Sequence, residues 1–284
     1  MFFTVLSPRA VTLILAACVG ISLMLAWQLL RSTPAAADVW MFHLPGEAIL
    51  LSLESGHLVV VDSGETPQLA DKLAELLPLW QRTIDVLILT HADQDHVGGS
   101  LAMLDHFQVG SIFLPGAAED SLLYNTIIKR AKARGVAVIY ASATTDIKSG
   151  DEVIDIVFPQ ASLLAQAIPD RHDTSLILRY RNPETAFLFT GDAEAKHEAD
   201  LLTTPARLTS TVLKVPHHGS KTSSSPALLA AVQPDIALNS AHADNRFGHP
   251  HSEIVDRYHA TDIPLFNTGD FGDIRLSTLL STEL

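Results

Sequence analysis

A segment rich in histidine and aspartate carries the side chains most able to perform chemistry. An apolar run ends at Thr90 and is followed by four potential metal ligands: His91, Asp93, Asp95 and His96. The glycines at positions 98 and 99 permit a tight turn into a following helix. Side chains at alternate loop positions can converge on one cation. Two imidazoles and two carboxylates at a strand end therefore predict a metal site in preference to a polar surface loop.

Later segments contain further candidate ligands. Asp192 ends a strand within Thr-Gly-Asp, where it either binds a metal ion or caps the helix that begins at Ala193. His217 and His218 follow an apolar run and are either ligands at the same sheet edge or a pair of surface histidines. His249 is a third candidate for the last imidazole. These residue types alone leave the alternatives open.

The elements that position these residues alternate short β-branched runs with amphipathic segments, which indicates an α/β chain with mixed sheets. The pattern predicts strands over 39–44, 48–53, 58–62, 84–90, 111–114, 136–140, 153–158, 175–180, 186–190, 211–215, 235–239 and 272–276. It predicts helices over 68–80, 100–107, 120–133, 193–202, 226–231 and 251–259. No repeat or linker interrupts residues 38–284, so we interpret them as one domain.

Five sequence blocks together resemble the metallo-β-lactamase superfamily. Segment 87–100, LILTHADQDHVGGS, is similar to its H-x-H-x-D-H signature, with Asp93 in place of the second histidine. This His-to-Asp form resembles the extracytoplasmic hydrolase domain of ComEC-type competence proteins, which function in DNA uptake. The other blocks follow in the order of that family: DTSLILRY at 173–180, AFLFTGDAE at 186–194, VLKVPHHGSKTSS at 212–224 and NRFGHPH at 245–251.

The resemblance implies a four-layer αββα sandwich with two divalent metal ions, and Asp192 takes the place of the carboxylate that bridges them. The implied metal ligands are His91, Asp93, Asp95, His96, Asp192, His217 and His218. The predicted catalytic residues are Asp95, Lys214 and His249. Lys214 either stabilises anionic charge at the site or is an ordinary solvent-facing strand lysine.

The sequence departs from the family pattern in three places. The opening turn is HLPGEAIL at 43–50 instead of a Gly-Gln-Gly-Asp-like turn, which leaves Asp62 as the main acidic group of the opening hairpin. The usual histidine of the second block is missing, with His172 and Asp173 nearby. Competence proteins of this type also carry a many-helix channel, whereas this chain has one apolar segment. We therefore expect a hydrolase domain by itself, with no transport role implied.

The ligand set indicates both the metal and the reaction. Replacing a histidine by Asp93 makes the set richer in carboxylate, which favours Mn²⁺, with Zn²⁺ as the second choice. Two divalent ions about 4 Å apart can bridge a hydroxide and hold a scissile phosphoryl oxygen. Water is then the nucleophile, and Ser63, Ser175 and Ser220 are poor candidates because the chain contains no G-x-S-x-G segment.

The amino terminus predicts a signal peptide or membrane anchor over residues 1–37. Residues 11–30 carry no charge and are long enough to span a bilayer core of about 30 Å. Ala35 and Ala37 fit a signal-peptidase site, whereas a buried core helix is the less favoured alternative. We expect the rest of the chain to be membrane-anchored and facing outside, or exported to the periplasm or beyond.

Overall charge restricts the substrate. The formal net charge is −13, so a polyanion must be drawn in locally by bound cations or by a few basic side chains. The main hypothesis is a phosphodiesterase or nuclease acting on DNA outside the cytoplasmic membrane, with nucleic acid or another phosphodiester as partner and a separate channel protein as a further possible partner. The alternatives are hydrolysis of a lactam, lactone or thioester, and a non-enzymatic membrane-anchored module.

Overall fold

The computed structural model describes residues 7–31, 38–117, 121–161, 163, 174–242 and 244–277. Within these residues, two seven-stranded mixed sheets pack face to face and helices cover both outer faces. This is the four-layer αββα sandwich, so the predicted fold class is confirmed. The boundary between a leading segment and a domain at residue 38 stays a prediction.

The first sheet contains, in sheet order, β14 (Ile274–Arg275), β1 (Asp38–Met41), β2 (Ile49–Ser52), β3 (Leu58–Val61), β4 (Thr83–Ile88), β5 (Gln108–Leu114) and β6 (Ala137–Tyr140). Strands β14 to β3 pair antiparallel, and β3 to β6 pair parallel. Helices α2 (Gln68–Leu76), α3 (Gln94–Val97), α4 (Ser100–His106) and α5 (Leu122–Ala133) lie between the strands of this half of the chain.

The second sheet contains, in sheet order, β13 (Leu265–Asn267), β12 (Ile236–Asn239), β11 (Val212–Lys214), β10 (Ala186–Phe189), β9 (Ile177–Arg181), β8 (Glu152–Phe158) and β7 (Asp146–Ser149). Strands β10 to β13 pair parallel, whereas β7 to β10 pair antiparallel. Its helices are α6 (Ala195–Leu202), α7 (Pro226–Val232), α8 (Ser252–Ala260) and the short α9 (Thr268–Phe271), with a 3₁₀ turn at Pro216–Gly219.

Alternation along the strands builds the layers. In β3, Val59 and Val61 face the opposite sheet, whereas Leu58 and Val60 face the helices. All four side chains are buried, because a strand between a second sheet and a helix layer has no solvent-facing side. The sequence accordingly shows a continuous apolar run there.

The structure adds elements that the sequence pattern did not indicate, namely β7, β13, α3 and α9. β7 reads Asp-Ile-Lys-Ser and lies at a sheet edge with alternate residues exposed, so it carries too few apolar residues to give a strand signal. β13 has three residues and is paired only through β12. Both owe their conformation to the ladder beside them rather than to local composition.

The amino-terminal helix α1 (Pro8–Arg31) has 24 residues and a rise of about 36 Å. Residues 9–26 have a mean hydropathy of 2.1, and their side chains are not buried against the rest of the protein. By length and composition this helix can cross a membrane, a property that signal sequences share. The proposed cleavage site at Ala35 and Ala37 lies outside the described residues.

The carboxyl ends of parallel strands bring the functional segments together. Asp62 follows β3, the segment from Thr90 follows β4, and Asp192 follows β10. The two sheets are joined at this edge by a hydrogen bond of 2.9 Å from the Leu176 amide to the Thr90 carbonyl oxygen. Open parallel sheets commonly bind ligands beyond the carboxyl ends of their strands, because the following loops are free to diverge there.

Candidate metal centre

The segment after β4 places its four predicted ligands around the start of α3. His91 and His96 are fully buried, whereas the side chains of Asp93 and Asp95 are 27% and 37% exposed. Asp93 Oδ2 lies 3.8 Å from His91 Nε2, and Asp95 Oδ2 lies 4.0 Å from His96 Nε2. The loop therefore presents two imidazole–carboxylate pairs, with the imidazoles inside and the carboxylates toward solvent.

The glycine pair that follows serves close packing. Gly98 and Gly99 form the expected turn into α4, but both have ordinary helical dihedral angles, so the turn does not depend on their conformational freedom. A Cβ at Gly98 would lie 2.0 Å from the Glu65 carbonyl oxygen, and one at Gly99 would lie 2.2 Å from the Ser63 carbonyl oxygen. The absence of side chains lets the ligand loop pack directly on the backbone that follows β3.

Asp192 occupies the middle of the site. Its Oδ2 lies 3.9 Å from His91 Nε2 and 3.7 Å from His217 Nε2. Its Oδ1 lies 3.2 Å from His96 Nε2 and 3.6 Å from His218 Nε2. Asp192 was alternatively expected to cap a helix beginning at Ala193. That helix begins at Ala195 instead, and Glu194 is its N-cap residue. The carboxylate thus faces a different pair of imidazoles with each oxygen.

Asp62 and Thr90 lie behind the histidines of the β4 segment. The buried Asp62 carboxylate accepts hydrogen bonds from the Thr90 amide and hydroxyl, both at 2.8 Å, and from His96 Nδ1 at 2.7 Å. Because the Thr90 hydroxyl donates to Asp62, it accepts from His91 Nδ1 at 3.0 Å. Each ring is thereby oriented with Nε2 toward Asp192, the arrangement that carboxylate–histidine pairs give at metal sites. The acidic group of the opening hairpin orients a candidate ligand from behind.

The histidine pair after β11 is not a pair of surface residues, because His218 is buried and the side chain of His217 is 17% exposed. Residues His217 and His218 both adopt left-handed backbone conformations, with φ of 49° and 52°. Such conformations cost non-glycine residues of order 1–3 kcal/mol each and recur at functional sites. The His218 ring is held by a 2.6 Å hydrogen bond from Nδ1 to the Ser240 carbonyl oxygen, so this strained turn aims both rings at Asp192.

The third candidate imidazole, His249, lies one ring further out. Its centroid is 5.8 Å from that of His217 and 6.5 Å from that of His218. Burial, together with His218 and His217, lowers the pKa of His249 to about 4, so the ring is neutral at physiological pH. The other second-block candidates, His172 and Asp173, lie outside the described residues.

The hydrogen bonds of the candidate ligands leave free lone pairs at the centre of the site. His96 Nδ1 faces a carboxylate and His218 Nδ1 faces a carbonyl oxygen, so both nitrogens must donate and each neutral ring keeps a lone pair on Nε2. The two Nε2 atoms lie 3.3 Å apart and both face Asp192 Oδ1. Acceptor atoms that converge in this way repel one another unless a cation lies among them. The residues fit a divalent metal ion.

The electrostatics of the site also favour positive charge among these groups. Burial opposes ionisation, yet Asp192, Asp62 and Asp95 outweigh it and raise the pKa of His96 well above its usual value. Burial likewise opposes the charge on Asp192, but His96 and His218 hold the pKa of that carboxyl well below its usual range. Burial and the neighbouring His96 lower the pKa of His91 to about 4, which keeps that ring in the neutral form that binds metals.

Behind the ligands lies a buried ion pair that the sequence analysis did not find. Lys214 Nζ contacts Glu47 Oε2, donates to the Gly191 carbonyl oxygen at 2.8 Å and lies 3.8 Å from Asp192 Oδ1. Both side chains are at most 1% exposed, so the alternative of a solvent-facing Lys214 is wrong.

Glu47 offers an oxygen within 4.8 Å of the ligand atoms of His96, Asp192 and His218. Its contact with the lysine makes it the counter-ion that keeps this amine beside Asp192. A lysine inside the apolar run Val-Leu-Lys-Val was the signal that a buried acid must exist.

The site opens into a cavity of about 770 Å³. Its walls include the carboxylates of Asp93, Asp95 and Asp192, the rings of His217, His218 and His249, and residues 240–242 and 244–247, which follow β12. Lys214 is not among the lining residues. A polar, partly open cavity over a cluster of metal-ligand side chains is a typical active-site arrangement.

An αββα sandwich with candidate His and Asp ligands at the strand ends is typical of metallo-hydrolases, and sequence comparison gives the family. Residues 44–242 match the Metallo-beta-lactamase superfamily, and the chain belongs to that superfamily. Its fold implies divalent-metal binding and hydrolase chemistry, for which the cluster around Asp192 is the candidate ligand group.

Two curated relatives each match most of the chain. The chain is 31% identical to ComE operon protein 3 of Bacillus subtilis (strain 168) over 68% of its own length and 24% of that protein. It is 29% identical to Recombination protein 2 of Haemophilus influenzae over 80% of its own length and 27% of that protein. The chain thus spans about a quarter of the length of these relatives. The solved fold of YhfI from Bacillus subtilis matches with a TM-score of 0.51 at 11% identity, covering 82% of this chain and 96% of that one.

Proposed function

We propose that this protein is a two-metal phosphodiesterase that cleaves DNA outside the cytoplasmic membrane. The observation that carries the proposal is the position of Asp192, whose two carboxylate oxygens each face a separate pair of imidazoles. One carboxylate with a ligand set on each side is what a bridged pair of metal ions requires.

The ligands divide into two groups around this carboxylate. His91, Asp93 and His217 would hold one ion with Asp192 Oδ2. Asp95, His96 and His218 would hold the other with Asp192 Oδ1. When bound, two divalent ions polarise the phosphoryl oxygens of a phosphodiester and lower the proton affinity of the attacking water.

The chain's own residues orient and complete this centre. Asp62 and the Ser240 carbonyl hold the rings of His96 and His218 in the tautomer that leaves Nε2 available to a metal. Asp95, partly exposed at the cavity, is placed to accept the proton of the attacking water. His249, neutral and on the cavity wall, is placed to hydrogen-bond the departing oxygen. Lys214 acts indirectly, by placing positive charge beside Asp192.

Two features favour a phosphodiester over a lactam, lactone or thioester. Asp93 stands where the superfamily signature has a histidine, and the resulting carboxylate-rich set suits Mn²⁺ before Zn²⁺. Curated relatives that match over most of the chain carry the names Recombination protein 2 and Competence protein ComA. The acidic cavity does not oppose this substrate, because two divalent ions would offset four of the negative charges that line it.

The proposal extends to location and partners. The relatives and the apolar helix α1 are compatible with a membrane-anchored or exported protein. We further propose that α1 holds the chain at the membrane with the sandwich outside, where DNA from the surroundings is the substrate. A separate channel protein would then be the partner that moves DNA across the membrane.

The test uses the full-length chain in detergent, loaded with Mn²⁺ or Zn²⁺, with labelled single-stranded and double-stranded DNA as substrates. Asp192→Asn is expected to lower the cleavage rate on the order of 100-fold or more, because it removes the shared ligand. Asp256→Asn, an exposed carboxylate on α8, is the matched control and should cleave normally.

Metal content is measured on the same samples by elemental analysis. Mn²⁺-dependent cleavage by the parent and the control, lost in Asp192→Asn, would support the phosphodiesterase. Bound metal without cleavage of either DNA would refute it and direct the search to lactams and small esters. Failure of the parent to bind any divalent metal would refute the metal centre itself.

A further inference from the structure

An exposed aromatic–cation pair lies at the mouth of the cavity. Phe247 has 58% of its surface exposed, and the guanidinium carbon of Arg246 lies 4.7 Å from its ring centroid. Both residues line the cavity. Phe247 does not belong to the buried core, and its ring is open to a ligand at the cavity mouth.

Arg246 is distinctive in charge. Among the described residues that line the cavity it is the one lysine or arginine, whereas five carboxylates line the same space: Glu65, Asp93, Asp95, Asp192 and Asp244. A lone arginine in such surroundings can hold an anionic group at a defined distance from the metal centre. Its planar guanidinium also binds phosphate through two parallel hydrogen bonds and stacks on flat rings.

The loop that carries the pair is held in place from within. Asn245 accepts a hydrogen bond from the His249 amide at 2.8 Å and donates to the carbonyl oxygens of His242 and His249, both at 2.6 Å. Arg246 and Phe247 lie at the tip of this closed turn and project from it. Asn245 therefore holds the backbone of the turn that carries the pair.

A sequence of rings connects the pair to the candidate ligands. The Phe247 ring lies 5.6 Å from that of His249 and is nearly parallel to it, with 22° between the planes. His249 in turn lies 6.5 Å from the ring of the candidate ligand His218, with 19° between the planes. Phe247 is thus one ring removed from the metal centre, within reach of a nucleotide beside the scissile phosphate.

We propose that Arg246 and Phe247 form the substrate-binding platform that selects single-stranded nucleic acid: Phe247 stacks on an unpaired base and Arg246 binds the adjoining phosphate. The inference rests on the proposed phosphodiesterase function and names its substrate form. Aromatic side chains bind single strands without sequence preference, because every base has a face on which a ring can stack. A base in a duplex already stacks on its neighbours and is not available to Phe247.

The test measures equilibrium binding by fluorescence anisotropy with the Mn²⁺-loaded full-length chain in detergent. The ligands are a fluorescein-labelled thymidine 12-mer and an abasic tetrahydrofuran 12-mer, both with phosphorothioate linkages that slow cleavage. Phe247→Ala is expected to weaken binding of the thymidine strand about 5- to 150-fold, the effect of losing one stacked base. The abasic strand should bind this variant as it binds the parent, and Phe247→Trp should retain affinity for the thymidine strand.

Arg246→Ala should weaken both strands, because the phosphates are common to them. Loss of the difference between the two strands in Phe247→Ala would establish the platform. Equal affinity of the parent and Phe247→Ala for the thymidine strand, in a protein that still cleaves DNA, would overturn the platform and leave the phosphodiesterase intact. A parent that neither binds nor cleaves either DNA would overturn the phosphodiesterase first, and the platform with it.

Discussion

Replacing Lys214 by methionine should both destabilise the protein and impair its metal centre. The substitution keeps the length of the side chain but leaves the Glu47 carboxylate buried without its counter-ion and removes the amine 3.8 Å from Asp192 Oδ1. Removing one partner of a buried ion pair typically costs about 3–5 kcal/mol. For a domain of this size that corresponds to a fall in Tm of about 6–20 °C.

Glu47→Gln and the double variant complete a thermodynamic cycle. Glu47→Gln alone should cost less than Lys214→Met, because the amine keeps the Gly191 carbonyl oxygen and the nearby Asp192. The double variant should be more stable than the sum of the single effects predicts, by about 1–3 kcal/mol, because neither remaining group is then an unpaired charge. Lys221→Met, an exposed lysine on the loop after the histidine pair, is the control and should leave Tm unchanged.

The assay is urea unfolding of all four proteins with Mn²⁺ and with EDTA, followed by DNA cleavage rates on the folded samples. Effects of Glu47→Gln and Lys214→Met that add to within about 0.5 kcal/mol would refute the coupling. If the Lys214→Met protein kept its stability but cleaved DNA more slowly, the positioning role would be contradicted. That result would indicate instead that Lys214 contacts the substrate directly.

Three further predictions follow from the same geometry. Asp62→Asn places an amide group where three hydrogen-bond donors converge on the carboxylate. The Mn²⁺ affinity, measured by competition with a chelating dye, should therefore fall about 10- to 100-fold. An unchanged affinity would show that Asp62 does not orient His96. Mn²⁺ at 100 times its dissociation constant should stabilise the folded protein by about 2.7 kcal/mol in a thermal melt. The Asp192→Asn variant should lose most of this stabilisation. An equal stabilisation of the parent and the variant would place the metal elsewhere. Gly99→Ala should destabilise the protein by at least about 1–3 kcal/mol because its Cβ meets the Ser63 carbonyl oxygen at 2.2 Å, whereas Gly20→Ala, with nothing within 4 Å, should be neutral in the same melt.

Local sequence pattern was sufficient for much of the fold. Continuous apolar runs such as Leu58–Val61 indicated strands, and the structure places this one in the middle of a sheet and buries all four of its side chains. The pattern was not sufficient for the edge strand Asp146–Ser149, because a polar, half-exposed segment becomes a strand only when a neighbour supplies the ladder. The strand order of the two sheets likewise depends on pairings between distant segments, which no short window contains.

The same distinction between local pattern and long-range contact applies to the candidate site. The sequence by itself determined which side chains could bind metal, because His91, Asp93, Asp95 and His96 lie within one loop and their spacing is local. Only the tertiary structure decided that Asp192 faces imidazoles on both sides and that Lys214 is paired with Glu47, which lies 167 positions away in the chain. Burial and charge pairing arise where two sheets meet, so they depend on contacts between residues that the chain keeps far apart, whereas ligand spacing and hydrophobic period are properties of the chain alone.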